Sequence, residues 1–141
     1  MSAPILSRWN KNDSYGTPEF LRDALDHEFG LNYDPCPLSK NPELDGLSTD
    51  WTGRRVFVNP PWSDITPWVR KATASRAEIV VMVLPARTDT LWFHHLKDRG
   101  AEMRLFRRRV RFIRNDAQKS LVNATDGTMV AVVRPLASSQ P

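Results

Sequence analysis

Cysteine occurs once in these 141 residues, at Cys36. One thiol makes no intramolecular disulfide framework, and a reducing cytoplasm is the simplest home for such a chain. One cysteine and scattered histidines also make no zinc ligand set. His94 and His95 are adjacent, so on a helix they point in different directions and cannot form a metal pair one turn apart. Long apolar runs are missing too. Nothing approaches the roughly 20 residues of a membrane helix, and Ile5-Leu6 is too short for the apolar core of a leader peptide. What remains is 40% hydrophobic and 26% charged, the profile of an ordinary globular protein of a length suited to one core. Internal repeats and a second domain are absent from the pattern, which reads as an arm at 1–12, one domain at 13–135 and a tail at 136–141.

The chain is organised around Arg55-Val56-Phe57-Val58-Asn59-Pro60-Pro61-Trp62. Val56 to Val58 is a short β-forming run. Two prolines cannot donate to a sheet ladder, so the strand stops at Asn59. A stiff loop is left at the carboxyl end of a strand, where open α/β sheets place ligands. It offers a side-chain amide, a free carbonyl and the exposed-type aromatic plate of Trp62, a set suited to a flat, hydrogen-bonding ring.

Asn59-Pro60-Pro61-Trp62 resembles the signature of methyltransferases acting on exocyclic amino groups of DNA bases, in which Asp, Asn or Ser precedes Pro-Pro and an aromatic. A second stretch, Pro85-Ala86-Arg87-Thr88-Asp89-Thr90-Leu91-Trp92-Phe93, resembles the small phage-type DNA N6-adenine methyltransferase family, as does Asp45-Gly46-Leu47 followed by Trp51. Arg109-Val110-Arg111-Phe112 is similar to that family's Gly-Arg-aliphatic-Lys-Phe segment, with Arg108 where glycine is usual. The resemblance spans about residues 13–134. It implies an α/β fold of the truncated Rossmann-like methyltransferase kind, with a mostly parallel central sheet flanked by helices. It further implies S-adenosylmethionine as cofactor, DNA as partner, and the cytoplasm of a bacterium or phage-infected cell as location.

The remaining elements fit such a fold. Thr17-Pro18-Glu19 reads as a helix start, with Thr17 capping and Pro18 at the first helical position. Phe20, Leu21, Ala24, Leu25 and Phe29 follow on one face, and Gly30 stops the helix. Leu31 to Asp34 reads as a short strand ended by Pro35, and Leu38 to Thr52 as a loop with a turn at Asp45-Gly46. Thr66 caps and Pro67 begins a helix bearing Trp68, Val69 and Ala72. Glu78 to Leu84 is a continuous apolar run, the mark of a strand buried on both faces. Thr88 or Asp89 caps a helix running to about Arg99. Glu102–Phe106 and Arg109–Ile113 read as strands, Asn115–Gly127 as a polar loop, and Thr128–Val133 as the last buried strand.

Given the resemblance, Thr17, Pro18, Asp34, Pro35, Asp45 and Asn59 are the expected cofactor-binding residues. Asp34, at a strand's carboxyl end, would accept from the cofactor's ammonium group. A plain helix cap at Thr17 and solvated loop carboxylates at Asp45 and Asp50 are the plainer alternatives. No Gly-x-Gly pair is present, a departure from most methyltransferases. Asp34 and Asn59 stand only 25 positions apart, too close for two further βαβ units of roughly 30 residues each. The adenosine half is therefore expected to meet loops or a partner subunit. A cut-down sheet leaves edges that a homodimer would cover.

In the implied chemistry Asn59, Pro60, Pro61 and Trp62 are the catalytic group. The Asn59 oxygen and the Pro60 carbonyl accept the two N–H bonds of an amine on a base swung out of the stack, and Trp62 stacks on that base. Adenine N6 and cytosine N4 both satisfy the signature, and the whole-chain resemblance favours adenine. Net charge is +4, and Arg104, Arg107, Arg108, Arg109, Arg111 and Arg114 crowd into eleven positions. The cluster reads as a phosphate-binding stripe or as a solvated strand face. Arg107, Arg109 and Arg111 are the expected DNA contacts. Arg87 is a phosphate ligand, a brace for the Asn-Pro-Pro loop, or a surface partner of Asp89. A DNA-binding module of the same fold without catalysis, such as a phage decoy, is the competing reading, and a methyltransferase for a small amine or protein the third.

Overall fold

A computed structural model of the chain describes residues 15–38, 45–114 and 118–136. The expected arm with Trp9, the tail beyond Leu136 and parts of the loops at 38–52 and 115–127 lie outside them. The elements in order are β1 (Tyr15–Gly16), α1 (Glu19–Phe29), β2 (Arg55–Val58), α2 (Thr66–Ala74), β3 (Ile79–Pro85), α3 (Leu91–Asp98), β4 (Glu102–Leu105), β5 (Arg111–Arg114), β6 (Leu121–Asn123) and β7 (Thr128–Val133). They form a four-stranded sheet of order β2-β3-β7-β4 and a three-stranded sheet of order β1-β5-β6.

The central pair β3 and β7 is buried along its whole length. Side chains alternate between the two faces, as the strand period of two requires. On one face Val56, Val58, Val80, Met82, Leu84, Met129 and Ala131 pack against Trp68, Val69 and Ala72 of α2 and Trp92 and Leu96 of α3. On the other, Phe57, Val81, Val83, Val130 and Val132 meet Leu21, Leu25 and Phe29 of α1, with Val110 and Phe112 from the arginine-rich segment. Burying each such side chain is worth about 1.5–3 kcal/mol against leaving it in water, so both layers hold the sheet. Trp51 is fully buried and stacks on Trp68 at 6.4 Å. Its indole N–H donates to the Gly46 carbonyl at 3.1 Å, which ties the loop before β2 to this core.

The expected mostly parallel sheet is not what forms. Among the strands of the described residues, only β2 and β3 pair in parallel. β3 with β7, β7 with β4, and both pairs of the smaller sheet are antiparallel. A buried apolar run states that both faces are covered but carries no mark of direction. A parallel neighbour needs a long crossover, and β7 instead returns through the β5–β6 hairpin. Leu31–Asp34 is not a strand either: Tyr33 makes a single parallel bridge to Val56. The Asn32 side chain takes the Arg55 N–H at 3.0 Å, and Pro35 prevents the ladder from continuing.

Three helix starts also shift. Pro18 is the cap residue of α1 and Ile65 that of α2, neither with a side-chain cap bond. Thr90, and neither Thr88 nor Asp89, caps α3 by accepting from the Phe93 N–H at 3.3 Å. Phe20 and Ala24 point outward, because the inner row of α1 is Leu21, Leu25 and Phe29. The two-residue β1 and the three-residue β6, within the expected polar loop, are too short to reveal themselves by alternation.

Candidate active site

Parallel pairing of β2 with β3 sets their carboxyl ends side by side, and β7 begins opposite the end of β3, with Thr128 facing Pro85. Three loops therefore meet at this edge: 59–64, 86–90 and 124–127. Pro60 is buried, and the Pro61 carbonyl closes a turn by accepting the Asp64 N–H at 3.0 Å.

Asn59 is fixed at the start of the loop. Its Nδ2 donates to the Tyr15 carbonyl at 2.9 Å and to Thr17 Oγ1 at 3.0 Å. Two acceptors on that nitrogen assign the amide orientation, and Oδ1 is the remaining polar atom of the side chain, an acceptor. The Thr17 hydroxyl thus serves Asn59 and not the helix cap. Trp62 is half-buried, not an exposed plate. It meets Phe112 edge to face at 5.2 Å and wedges between the two cores. Its carbonyl accepts from Arg87 Nη1 at 3.1 Å.

Asp34 follows the Tyr33 bridge. Its Oδ1 accepts the Cys36 N–H at 3.0 Å and its Oδ2 accepts from Arg22 Nη1 at 3.3 Å. Burial pushes its carboxyl above the usual aspartate range, more strongly than the Cys36 N–H and Arg22 pull it down. A half-buried carboxylate left short of compensation favours a further cation. Arg22 also lies over the Phe57 ring, 4.2 Å from its centroid, so Asp34, α1 and β2 form one unit. Pro35 packs so closely on the 45–48 turn that a Cβ on Gly46 would run into the Pro35 carbonyl. Asp45 is thereby brought beside Pro35, yet it is exposed and its carboxylate accepts from the Leu47 N–H at 3.2 Å and the Ser48 hydroxyl at 2.6 Å.

Among the clustered arginines, Arg104 is the exception. It grips Glu28 with two bonds of 2.6 Å, pairs with Glu102 and lies over Phe29. It is a staple between β4 and α1 and does not belong to the expected phosphate stripe. Arg107, Arg108, Arg109, Arg111 and Arg114 are exposed, and Arg109 Nη1 reaches the Ala124 carbonyl at 3.2 Å. Arg87 has the geometry of a brace. Its Nε and Nη2 donate to Asp126 Oδ2 at 3.2 and 2.9 Å while Nη1 holds Trp62. Asp126, not Asp89, is its partner.

Arg22, Asp126 and the Tyr15 carbonyl escaped the sequence reading, and Phe112 entered it only as part of the Arg109–Phe112 segment. Only Asp126-Gly127, a turn dipeptide ahead of the last strand, left a local signal.

An α/β domain with Asn-Pro-Pro-Trp at the carboxyl end of a strand, its Asn amide oriented by Tyr15 and Thr17, has the frame of an amino-methyltransferase. The family model of DNA N-6-adenine-methyltransferase (Dam) matches residues 7–141, and the chain belongs to that family. A DNA N-6-adenine-methyltransferase of Haemophilus phage HP1 is 26% identical over 139 residues, covering 89% of this chain and 80% of that relative. Among solved structures, a Pyrococcus horikoshii protein provisionally described as an RNA methyltransferase aligns with a TM-score of 0.38 and 16% identity over 55% of this chain and 40% of that one.

Proposed function

We propose that this protein transfers a methyl group from S-adenosylmethionine to the exocyclic N6 of adenine in DNA. The observation that carries the reading is the Asn59 amide, whose nitrogen is engaged by Tyr15 and Thr17 so that an acceptor oxygen is offered at the loop. Adenine's amino nitrogen is a poor nucleophile because its lone pair is delocalised into the ring. Asn59 Oδ1 and the Pro60 carbonyl each take one of its N–H bonds, which favours a pyramidal nitrogen with an available lone pair. The target is out of reach inside a duplex, so the base is extruded. Trp62, anchored edgewise on Phe112, gives the extruded ring a stacking surface worth about 1–3 kcal/mol. Asn59 cannot take the amine proton, which leaves to solvent. No covalent bond to the protein forms.

The side chains present suit the amino-acid half of the cofactor. Asp34, raised in pKa by burial, accepts from the ammonium group. The amides of Glu19 and Phe20 lie ahead of the first helical bonds to Pro18 and suit the carboxylate. Thr17, Pro18 and Pro35 complete that side, and Asp45 with the 45–50 loop is the side for the adenosine half. When bound, S-adenosylmethionine supplies an electrophilic methyl group. Arg107, Arg109 and Arg111, exposed on and beside β5, engage the phosphates.

The test is to incubate the protein with labelled S-adenosylmethionine and DNA of varied sequence, then digest to nucleosides. Label in N6-methyldeoxyadenosine is expected. Label in N4-methyldeoxycytidine only, or DNA retention with no label at all, contradicts the proposal.

A further inference from the structure

The Asn59–Trp62 loop is held at both ends, by different groups. Tyr15 and Thr17 hold Asn59 at the near end. At the far end the Trp62 ring rests on Phe112, and its backbone carbonyl accepts from Arg87 Nη1. An arginine side chain has many rotamers to lose, so something must select the one that reaches Trp62. Asp126 does this. Its Oδ2 takes Nε and Nη2 from the same side of the guanidinium, and the rigid planar fork then points Nη1 at the loop. The ion pair is about one-third exposed on each partner, so it is less screened than a pair in open solvent.

Asp126 sits on a short loop tied to its surroundings on both sides. The Ala86 N–H donates to the Gly127 carbonyl at 2.7 Å, next to the end of β3. The Ala124 N–H donates to Val110 at 3.0 Å, and the Ala124 carbonyl accepts from Arg109. The same four residues thus contact the exposed arginine segment and, through Arg87, the loop that meets the base. Resting on the function proposed above, we infer that Asp126 is a positioning residue for the methyl transfer: it fixes Arg87 and through it the Trp62 end of the Asn59–Trp62 loop. Asp126 is assigned no contact with base or cofactor. It acts on how often the loop is in reacting geometry, and so on kcat more than on binding.

The experiment uses the full chain. Asp126→Ala, Asp126→Asn, Arg87→Lys and the Arg87→Lys/Asp126→Ala double variant are compared with wild type. The readouts are single-turnover methylation, DNA affinity by anisotropy, S-adenosylhomocysteine affinity, and 2-aminopurine fluorescence as a signal of base extrusion. Asp126→Ala and Arg87→Lys are each expected to lower the rate about ten- to a hundredfold, the range for a misplaced reacting group, with both affinities at wild-type level and a weaker extrusion signal. Asp126→Asn keeps an acceptor oxygen and should recover part of the rate. The double variant should be no slower than the slower single one, because the two residues act as one unit.

Wild-type turnover in Asp126→Ala, losses that multiply in the double variant, or a loss of DNA affinity in place of rate would each overturn the assignment. If Asp126→Ala does not fold, Asp126→Asn and Arg87→Lys decide by the same criteria. A wild-type protein that methylates no DNA would defeat the proposed function itself. A methylating wild type with indifferent variants would defeat only the role of Asp126.

Discussion

Asn59 shows how one side chain is chosen by its neighbours. Aspartate is common at this point of the signature, yet here the side chain must donate twice, to the Tyr15 carbonyl and to Thr17. Thr17 could turn its hydroxyl around to meet a carboxylate, but a backbone carbonyl cannot. Asn59→Asp should therefore lose about 1–3 kcal/mol of stability, the usual cost of an unmet or repelled polar contact, and should methylate more slowly despite retaining its acceptor oxygens. Thermal melting and single-turnover rates equal to wild type would show that the amide is not locked. Asp34 has the opposite economy. Its carboxyl is raised by burial, so it favours the fold most below the ordinary aspartate range, and that contribution is lost as pH rises through the folded-state value. Asp34→Asn should accordingly melt higher than wild type at pH 7, with the gap shrinking in acid, and bind S-adenosylhomocysteine more weakly. A lower melting temperature at pH 7 would reverse the assignment. The turn from Asn59 to Trp62 was legible because two prolines end the strand there, and β2 does stop at Val58. The sequence did not reveal Asp126, whose partner Arg87 is 39 positions away and marked by no periodic pattern.

Among the elements, α1 is held by an apolar row and by charge. Arg104 joins β4 to its last turn, and contact with that guanidinium holds Glu28 and Glu102 below the usual glutamate range. Depressed carboxylates contribute stability above their unfolded values, and the contribution disappears as pH falls through the folded ones. Arg104→Ala should therefore lower the melting temperature at neutral pH, with a difference that vanishes in strong acid, and should leave DNA affinity unchanged. A difference that persists undiminished in strong acid would mean that packing on Phe29, not charge, is what was lost. Burial of β3 and β7 was legible because their apolar runs are unbroken, and the inner face of α2 was legible from its spacing. Strand direction was not, since hydrophobicity is the same read either way. β1 is two residues long but carries the carbonyl that orients Asn59, so its importance lies in position and not in pattern.

For the whole molecule, the basic excess is divided between structure and surface. Arg87 and Arg104 are engaged with carboxylates, whereas Arg107, Arg109 and Arg111 are exposed in and just before β5. Each phosphate neutralised contributes about 0.9 to the slope of log affinity against log salt. Replacing the three by glutamine should reduce the slope for duplex DNA by roughly two to three. An unchanged slope would place the DNA elsewhere. The two sheets meet at the loop: the smaller sheet supplies Tyr15 and Phe112, and the larger supplies Asn59 and, after β3, Arg87. The Asn59–Trp62 corner depends on both, and neither sheet alone could orient the amide and anchor the indole. The most direct measurement is the single-turnover rate of Asn59→Ala on DNA with both DNA and S-adenosylmethionine saturating. Loss of an oriented hydrogen-bonding group at the reacting atom should slow transfer by about a hundred- to a thousandfold while the protein stays folded. Transfer to adenine at the wild-type rate would contradict the role given to that oxygen.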